Sequence, residues 1–406
     1  MLRPALFLAA ARAAVLVLSG LQVCLIARLP QGAAGVVFLH AALFAAFAAG
    51  IDLGTGQALQ RLCAADALEL EVTRPRGPLP LLSPDSQAWV RSALRARILA
   101  GLLALVTHLS LAVILGDGKD PFLVLAIFHL PVFALGAFQT PFLLRRDLRP
   151  LAAARLSGAL LSFGAVLALR LSGVSLPGPY LLALASGQVL SHILLLRLSR
   201  IPIQGPAHPL GRLLPESLLL GAGNFARMLY FQGDQLLVRL LARPDLALYG
   251  AVYRLFSAAT ILPQSLGEIL LAPLTRNHDQ DPTSARRTAG RLSLRTLAAG
   301  LLPLGVLFLL ARPVLDLLFG PLYTRGESTL RVLLAAALLV HPASVQITAA
   351  LAAGRLGEVL HLSLLGLGLT VLLCLLLVPS MGALGAAWAT LGTEALVLAG
   401  AWRIRR

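Results

Sequence analysis

The sequence predicts an all-α protein that crosses a membrane about twelve times, and three observations carry that prediction. Hydrophobic residues make up 58% of the 406 and charged residues 13%, against roughly half and about a quarter in soluble domains. Mean hydropathy is +0.83. Apolar runs near the ~20 residues that span a ~30 Å hydrocarbon layer recur along nearly the whole chain. Basic residues also fall between those runs in a regular alternation.

Apolar runs bounded by charges, Gly and Pro place the spans at 5–27, 33–51, 92–115, 121–143, 151–171, 178–197, 213–241, 247–272, 292–318, 329–352, 358–378 and 383–402. Arg3 and the apolar stretch after it invite a signal-peptide reading. Arg12 interrupts the stretch and no small-residue cleavage site follows, so it is expected as a retained first span. With the N-terminus in the cytoplasm, one side receives Arg74, Arg76, Arg145, Arg146, Arg286, Arg287, Arg405 and Arg406. The other receives chiefly Arg28, Lys119, Arg243 and Arg325. That asymmetry predicts an even number of spans with both termini cytoplasmic. It also accounts for the net charge of +16 without a nucleic-acid partner, because the arginines lie between apolar runs rather than on one solvated face.

Sliding the chain against itself by 215 residues aligns Arg12 with Arg227, Arg28 with Arg243, Gly35 with Gly250 and Arg61 with Arg276. The implied organisation is two six-helix bundles, 1–205 and 206–406, split in the Pro/Gly-rich segment Ile201–Gly211. Six is even, so the halves would run in the same direction about a pseudo-twofold axis along the membrane normal.

Ionisable side chains at mid-bilayer are costly, about 2.5–3.5 kcal/mol on insertion scales, and usually face a cavity or a partner. The sequence offers Arg12, Arg227 and Arg254 as cations, and Asp234, Glu268 and Glu394 as carboxylates. Guanidinium groups in a low-dielectric cleft suit phosphate or pyrophosphate through paired, charge-assisted hydrogen bonds. The alternative is that Arg12 and Arg227 extend to the interface and set topology. Asp234, two turns beyond Arg227 on the same helical face, pairs with an arginine or binds a proton or sodium ion. Glu268 is expected near the end of its span, and Glu394 has no evident partner. Cys24, Cys63 and Cys374 are scattered, and neither metal nor nucleophile motifs occur, so no cofactor, metal centre or enzyme site is expected.

Several stretches resemble one family. Gly50-Ile51-Asp52-Leu53-Gly54 followed by Ala58-Leu59-Gln60-Arg61 is similar to the ending of its second span. Asp234, then Leu248 to Leu255, is like its turn between spans 7 and 8, with Tyr249 where the family usually has valine. Pro379, Gly382, Gly385-Ala386-Ala387 and Ala389 are like its last hairpin, and Phe319-Gly320-Pro321-Leu322-Tyr323 is like a further segment. The family is the Wzx-type oligosaccharide flippases of bacterial polysaccharide biosynthesis, within the MOP superfamily that also holds MATE drug exporters and the lipid II flippase. The resemblance implies a V-shaped, MATE-like pair of six-helix bundles around a cationic cavity, in a bacterial inner membrane. It implies alternating-access translocation of an undecaprenyl-pyrophosphate-linked oligosaccharide, alongside glycosyltransferases and a polysaccharide polymerase. Arg227 and Arg254, with Arg12, would hold the pyrophosphate, and Asp234 would couple the transition. A MATE-like drug or cation antiporter is the nearest rival. A membrane glycosyltransferase or ligase is disfavoured by outward connections of a few residues, apart from 312–328.

Overall fold

The structure, a computed structural model, describes residues 2–63, 82–144 and 149–404. Side chains at 2–13, 60–61, 144, 216 and several positions within 262–279 lie outside that description. Among the described residues there are helices and no strands. In chain order they are α1 (Leu2–Ala27), α2 (Gln31–Asp52), α3 (Thr55–Leu62), α4 (Pro84–Ile114), α5 (Pro121–Ile127), α6 (Thr140–Leu144), α7 (Arg149–Leu171), α8 (Pro177–Ser199), α9 (Leu210–Leu241), α10 (Leu246–Gln280), α11 (Pro282–Leu309), α12 (Ala311–Phe319), α13 (Glu327–Ala352), α14 (Leu356–Met381) and α15 (Ala383–Ile404).

Nine helical stretches among the described residues are long and apolar enough to cross a membrane. Three further long helices complete the twelve expected: α1, α9 and α10. The apolar described part of α1 is Ala14–Ala27. Helices α9 and α10 contain Arg227, Asp234, Arg239 and Arg254, which lower their hydropathy. On α4, α11 and α14, Leu103, Val113, Leu302, Leu309, Leu365 and Leu376 are all exposed. Such outward apolar surface suits lipid rather than water. The chain is therefore a multi-pass membrane protein.

Caps set many of the boundaries. Ser83 Oγ accepts from Ser86 N at 3.1 Å, with Pro84 in the first turn, so α4 starts eight residues before its expected span. Asp281 caps α11 through Thr283 N at 2.9 Å, which likewise moves that start back to Pro282. Asp120 accepts from Phe122 N and Leu123 N at the head of α5, and its other oxygen accepts from Gly178 N at the head of α8. Asp245 accepts from Ala383 N, at the first residue of α15. Each of these two aspartates fixes donors that helix starts leave unpaired.

Two expected spans differ in detail. Residues 121–143 are not one α-helix: Leu130–Gln139 winds as a 3-10 helix between α5 and α6. Pro131 supplies no N–H, and His129 Nδ1 sits 2.5 Å from Ala126 O, so a side chain competes for a backbone carbonyl. The expected span 292–318 ends early, at Leu309, and α12 follows as a separate short helix. Pro313 sits near that break, where its ring disfavours a continuous helix through the preceding turn.

The described chain forms two compact units: residues 1–26 with 43–225, and residues 27–42 with 226–406. Helix α2 thus contributes its first half to the second unit and its second half to the first. In the first unit, Gly158 of α7 and Gly187 of α8 bring their backbones together, each where a Cβ would strike the other's carbonyl oxygen. Gln22 Nε2 donates to Ser162 Oγ at 2.7 Å and ties α1 to α7. Gly54, at φ +69°, turns α2 into α3 against the backbone of Ser217 and Gly221. Both the φ and the close approach exclude a side chain there. In the second unit, Gly35 approaches Ala247 N and Gly250 approaches Phe38. The two glycines aligned by the 215-residue shift therefore each seat against the other's helix.

Candidate functional site

The second unit buries a polar cluster at the meeting of α9, α10 and α15. Asp234, on α9, is fully buried. Its Oδ2 accepts from Tyr249 OH at 2.5 Å and from Thr390 Oγ1 at 3.4 Å, and its Oδ1 accepts from Gln235 N at 2.7 Å. Thr390 Oγ1 also lies 3.0 Å from Ala386 O, so one hydroxyl proton serves two acceptors. Tyr249 and Thr390 come from α10 and α15, which makes the carboxyl the junction of three helices.

One helical turn along both partner helices a second rung repeats the pattern. Tyr253 follows Tyr249 with ring centroids 5.6 Å apart, and Glu394 follows Thr390. Tyr253 and Glu394 are 0% and 1% exposed. Among the described residues, neither Tyr253 OH nor Glu394 Oε1 has a hydrogen-bond partner. Buried polar atoms are almost always paired. Tyr253 lies within electrostatic reach of Glu394, so a carboxyl and a phenol share one buried region. The donors are hard oxygens from carboxylate, phenol and hydroxyl, which suit an alkali cation or proton rather than a soft transition metal. Among the described residues, no three His, Cys, Asp or Glu side chains converge as a metal centre.

The cations border this cluster. Arg227, half-buried on α9, lies within electrostatic reach of Glu394 and of Tyr230. Among the described residues it forms no hydrogen bond or ion pair. Arg254 stands one residue after Tyr253; its guanidinium donates to Phe38 O at 3.1 Å and lies 5.9 Å from the Phe38 ring centroid. Arg254 thus anchors α10 to the first half of α2 while keeping other donors. Of the six expected site residues, the fold gathers Arg227, Asp234, Glu394 and Arg254 into one region of the second unit. Arg12 and Glu268 lie on α1 and α10, and their side chains fall outside the described residues.

The first unit holds a buried ion pair that the sequence reading passed over. Arg97, on α4, is 2% exposed. It pairs with Asp52 at the end of α2, and its Nε donates to Thr55 Oγ1 at 2.7 Å. Gly136 leaves room for the guanidinium: a Cβ there would lie 3.0 Å from it. A row of rings runs onward from His192 through Phe133, His129 and Phe44 to His108, with centroids 4.6–5.3 Å apart. The signal was present in the sequence, since Arg97 falls inside the expected span 92–115 and Asp52 lies within the Gly50–Gly54 motif. Asp52 follows the expected end of span 2 and reads as a loop residue until α2 is seen to include it.

The fold is that of solved membrane transporters. A structure described as the lipid II flippase MurJ in an inward closed conformation matches with TM-score 0.68 and 12% identity, over 98% of this chain and 87% of that one. An inward-facing multidrug resistance MATE family transporter of the MOP superfamily matches with TM-score 0.74 and 12% identity, over 96% and 93%. The MATE transporter ClbM in complex with Rb+ matches with TM-score 0.62 and 14% identity, over 100% and 93%. These neighbours are transporters and flippases rather than enzymes. No protein-family model and no curated protein matches the chain by sequence.

Proposed function

We propose that this chain is a flippase of a bacterial inner membrane, translocating an undecaprenyl-pyrophosphate-linked oligosaccharide in cell-surface polysaccharide synthesis. The observation that carries the reading is the pair of buried carboxyls, Asp234 and Glu394, with half-buried Arg227 near them, within the membrane-crossing helices of a transporter fold. Groups of this kind are expensive inside a bilayer and are usually retained for a transported or coupling ion. Arg227 and Arg254, with Arg12, hold the pyrophosphate, since guanidinium pairs bind phosphates strongly where water is scarce. Asp234 and Glu394 take up and release a proton or a small cation as access alternates, with Tyr249, Tyr253 and Thr390 following the change. Glu268, from the same helix as Arg254, is assigned to the same coupling set. Both termini face the cytoplasm, as the arginine alternation requires.

Cation antiport is a second reading, favoured by the two buried carboxylates, which attract cationic cargo as readily as a coupling ion. One experiment separates them. Purified protein in vesicles is assayed with a fluorescent lipid-linked oligosaccharide and, separately, with a cationic dye, as wild type, Arg227→Ala and Arg254→Ala. The flippase reading expects oligosaccharide translocation in wild type and at least a tenfold loss in each variant. Undiminished lipid translocation in both variants removes the assignment of the arginines. Transport of the dye alone establishes the antiporter.

A further inference from the structure

The connection between α11 and α13 forms a second polar feature, on elements that contribute nothing to the Asp234 cluster. There α12 and the 3-10 turn Pro321–Gly326 fold beside the first turn of α13. Together they leave an open recess of about 470 Å³, lined by Arg312, Thr324, Arg325, Glu327, Ser328 and Arg331. We propose that this recess is a binding site for the phosphate group of an anionic amphiphile at the membrane interface.

Charge is the first argument. Arg331 is already committed: it pairs with Glu327 at 2.8 Å, donates to Phe308 O at 3.2 Å and lies 5.3 Å from the Phe308 ring centroid. Arg312 and Arg325 are exposed and, among the described residues, form no hydrogen bond or ion pair. The recess therefore presents two uncommitted guanidinium groups, and a third whose position is fixed by other contacts. Guanidinium forks match phosphate oxygens in bidentate geometry.

The backbone adds to that field. Helix α13 begins after Gly326 with no side-chain cap, and although the Glu327 amide is taken by Thr324 O, the positive end of the helix adds to the field of the arginines. Ser328 stands in that first turn, and Thr324 in the preceding turn, so two hydroxyls border the same space. Thr324 Oγ1 already donates to Pro321 O at 2.7 Å, so of the two hydroxyls it is Ser328 whose proton remains for a phosphate oxygen.

The surroundings say that the ligand is an amphiphile. Helix α12 buries Ala311, Leu315 and Phe319 on one face, and Leu317 on another is 77% exposed. Leu309 and Leu322, each three residues before one of the arginines, are 74% and 67% exposed. A short helix with apolar side chains turned outward and arginines beside them lies in the headgroup plane, where anionic lipids are attracted to basic residues. A soluble phosphate would gain nothing from that apolar rim.

The test uses the full-length protein in detergent, with native mass spectrometry or fluorescence titration as readout. The probes are dioleoyl phosphatidic acid, phosphatidylglycerol, phosphatidylcholine and inorganic phosphate. Wild type is expected to retain one molecule of an anionic lipid at least tenfold more tightly than Arg312→Gln/Arg325→Gln, with no difference for phosphatidylcholine. Arg312→Lys/Arg325→Lys keeps the charge but not the fork, and is expected to restore only part of the affinity. Equal retention of anionic lipid by wild type and the Gln variant overturns the site. Binding of inorganic phosphate at the same affinity as lipid, also lost in the Gln variant, keeps the phosphate site but assigns it to the soluble ion. Flux through the Asp234 region, measured on the same variant, separates loss of this site from failure of the flippase reading, because the recess shares no residue with that cluster.

Discussion

At the scale of single residues, the membrane interior turns each buried polar atom into a commitment. Arg97 is held by Asp52 and Thr55. Its loss would leave a carboxylate one-third exposed and no longer neutralised. Arg97→Ala is expected to lower stability by about 2–4 kcal/mol, read as a lower unfolding midpoint in detergent, whereas a surface arginine such as Arg243 changes it little. Tyr249→Phe removes the shortest hydrogen bond to Asp234 and leaves a buried acceptor to Thr390 and one backbone amide. A loss of about 1–3 kcal/mol is expected, together with an altered dependence of transport on the coupling ion. A variant with wild-type ion dependence would separate Tyr249 from the coupling cycle. Asp234 was legible in the sequence as a charge in the middle of an apolar run. Its partners were not, because Tyr249 and Thr390 reach it from helices 15 and 156 positions away. Glu394 shows the same limit: one-dimensional spacing gives no sign that Tyr253 and Arg227 stand near it.

Among the elements, caps and close backbone approaches decide where helices begin and how near they lie. Asp120 serves two helix starts at once, so Asp120→Ala is expected to cost about 1–2 kcal/mol and to raise amide exchange at the heads of both α5 and α8. Exchange raised at α5 alone would contradict the double cap. The crossing of α7 and α8 depends on Gly158 and Gly187, whose backbones meet with no room for a side chain. Small residues at such a crossing let membrane helices pack closely, and Gly158→Leu is expected to destabilise by about 1–3 kcal/mol through forced separation. Thermal unfolding of that variant beside Gly164→Leu checks it, since Gly164 has open space around it. The helices themselves were legible because apolar runs and their flanking charges recur at bilayer length. The 3-10 stretch Leu130–Gln139 and the break before α12 were not. Pro131 and Pro313 were visible in the sequence, but whether a proline kinks, rewinds or ends a helix depends on what its neighbours pack against.

For the whole molecule, the long helical stretches among the described residues and an exposed apolar surface establish a multi-pass membrane protein with the fold of known transporters. The division into halves 1–205 and 206–406, with cytoplasmic termini, is proposed from the arginine register. What passes through such a fold is set by a few charges rather than by the fold itself, and here those charges include both arginines and carboxylates. The most direct measurement of the account is translocation of a fluorescent undecaprenyl-pyrophosphate-linked oligosaccharide in vesicles containing the purified chain. It is read as label becoming accessible to a membrane-impermeant lectin. The account predicts accumulation of accessible label with wild type and at least a tenfold slower rate with Asp234→Asn. Accumulation in wild-type vesicles no faster than in protein-free vesicles would contradict it.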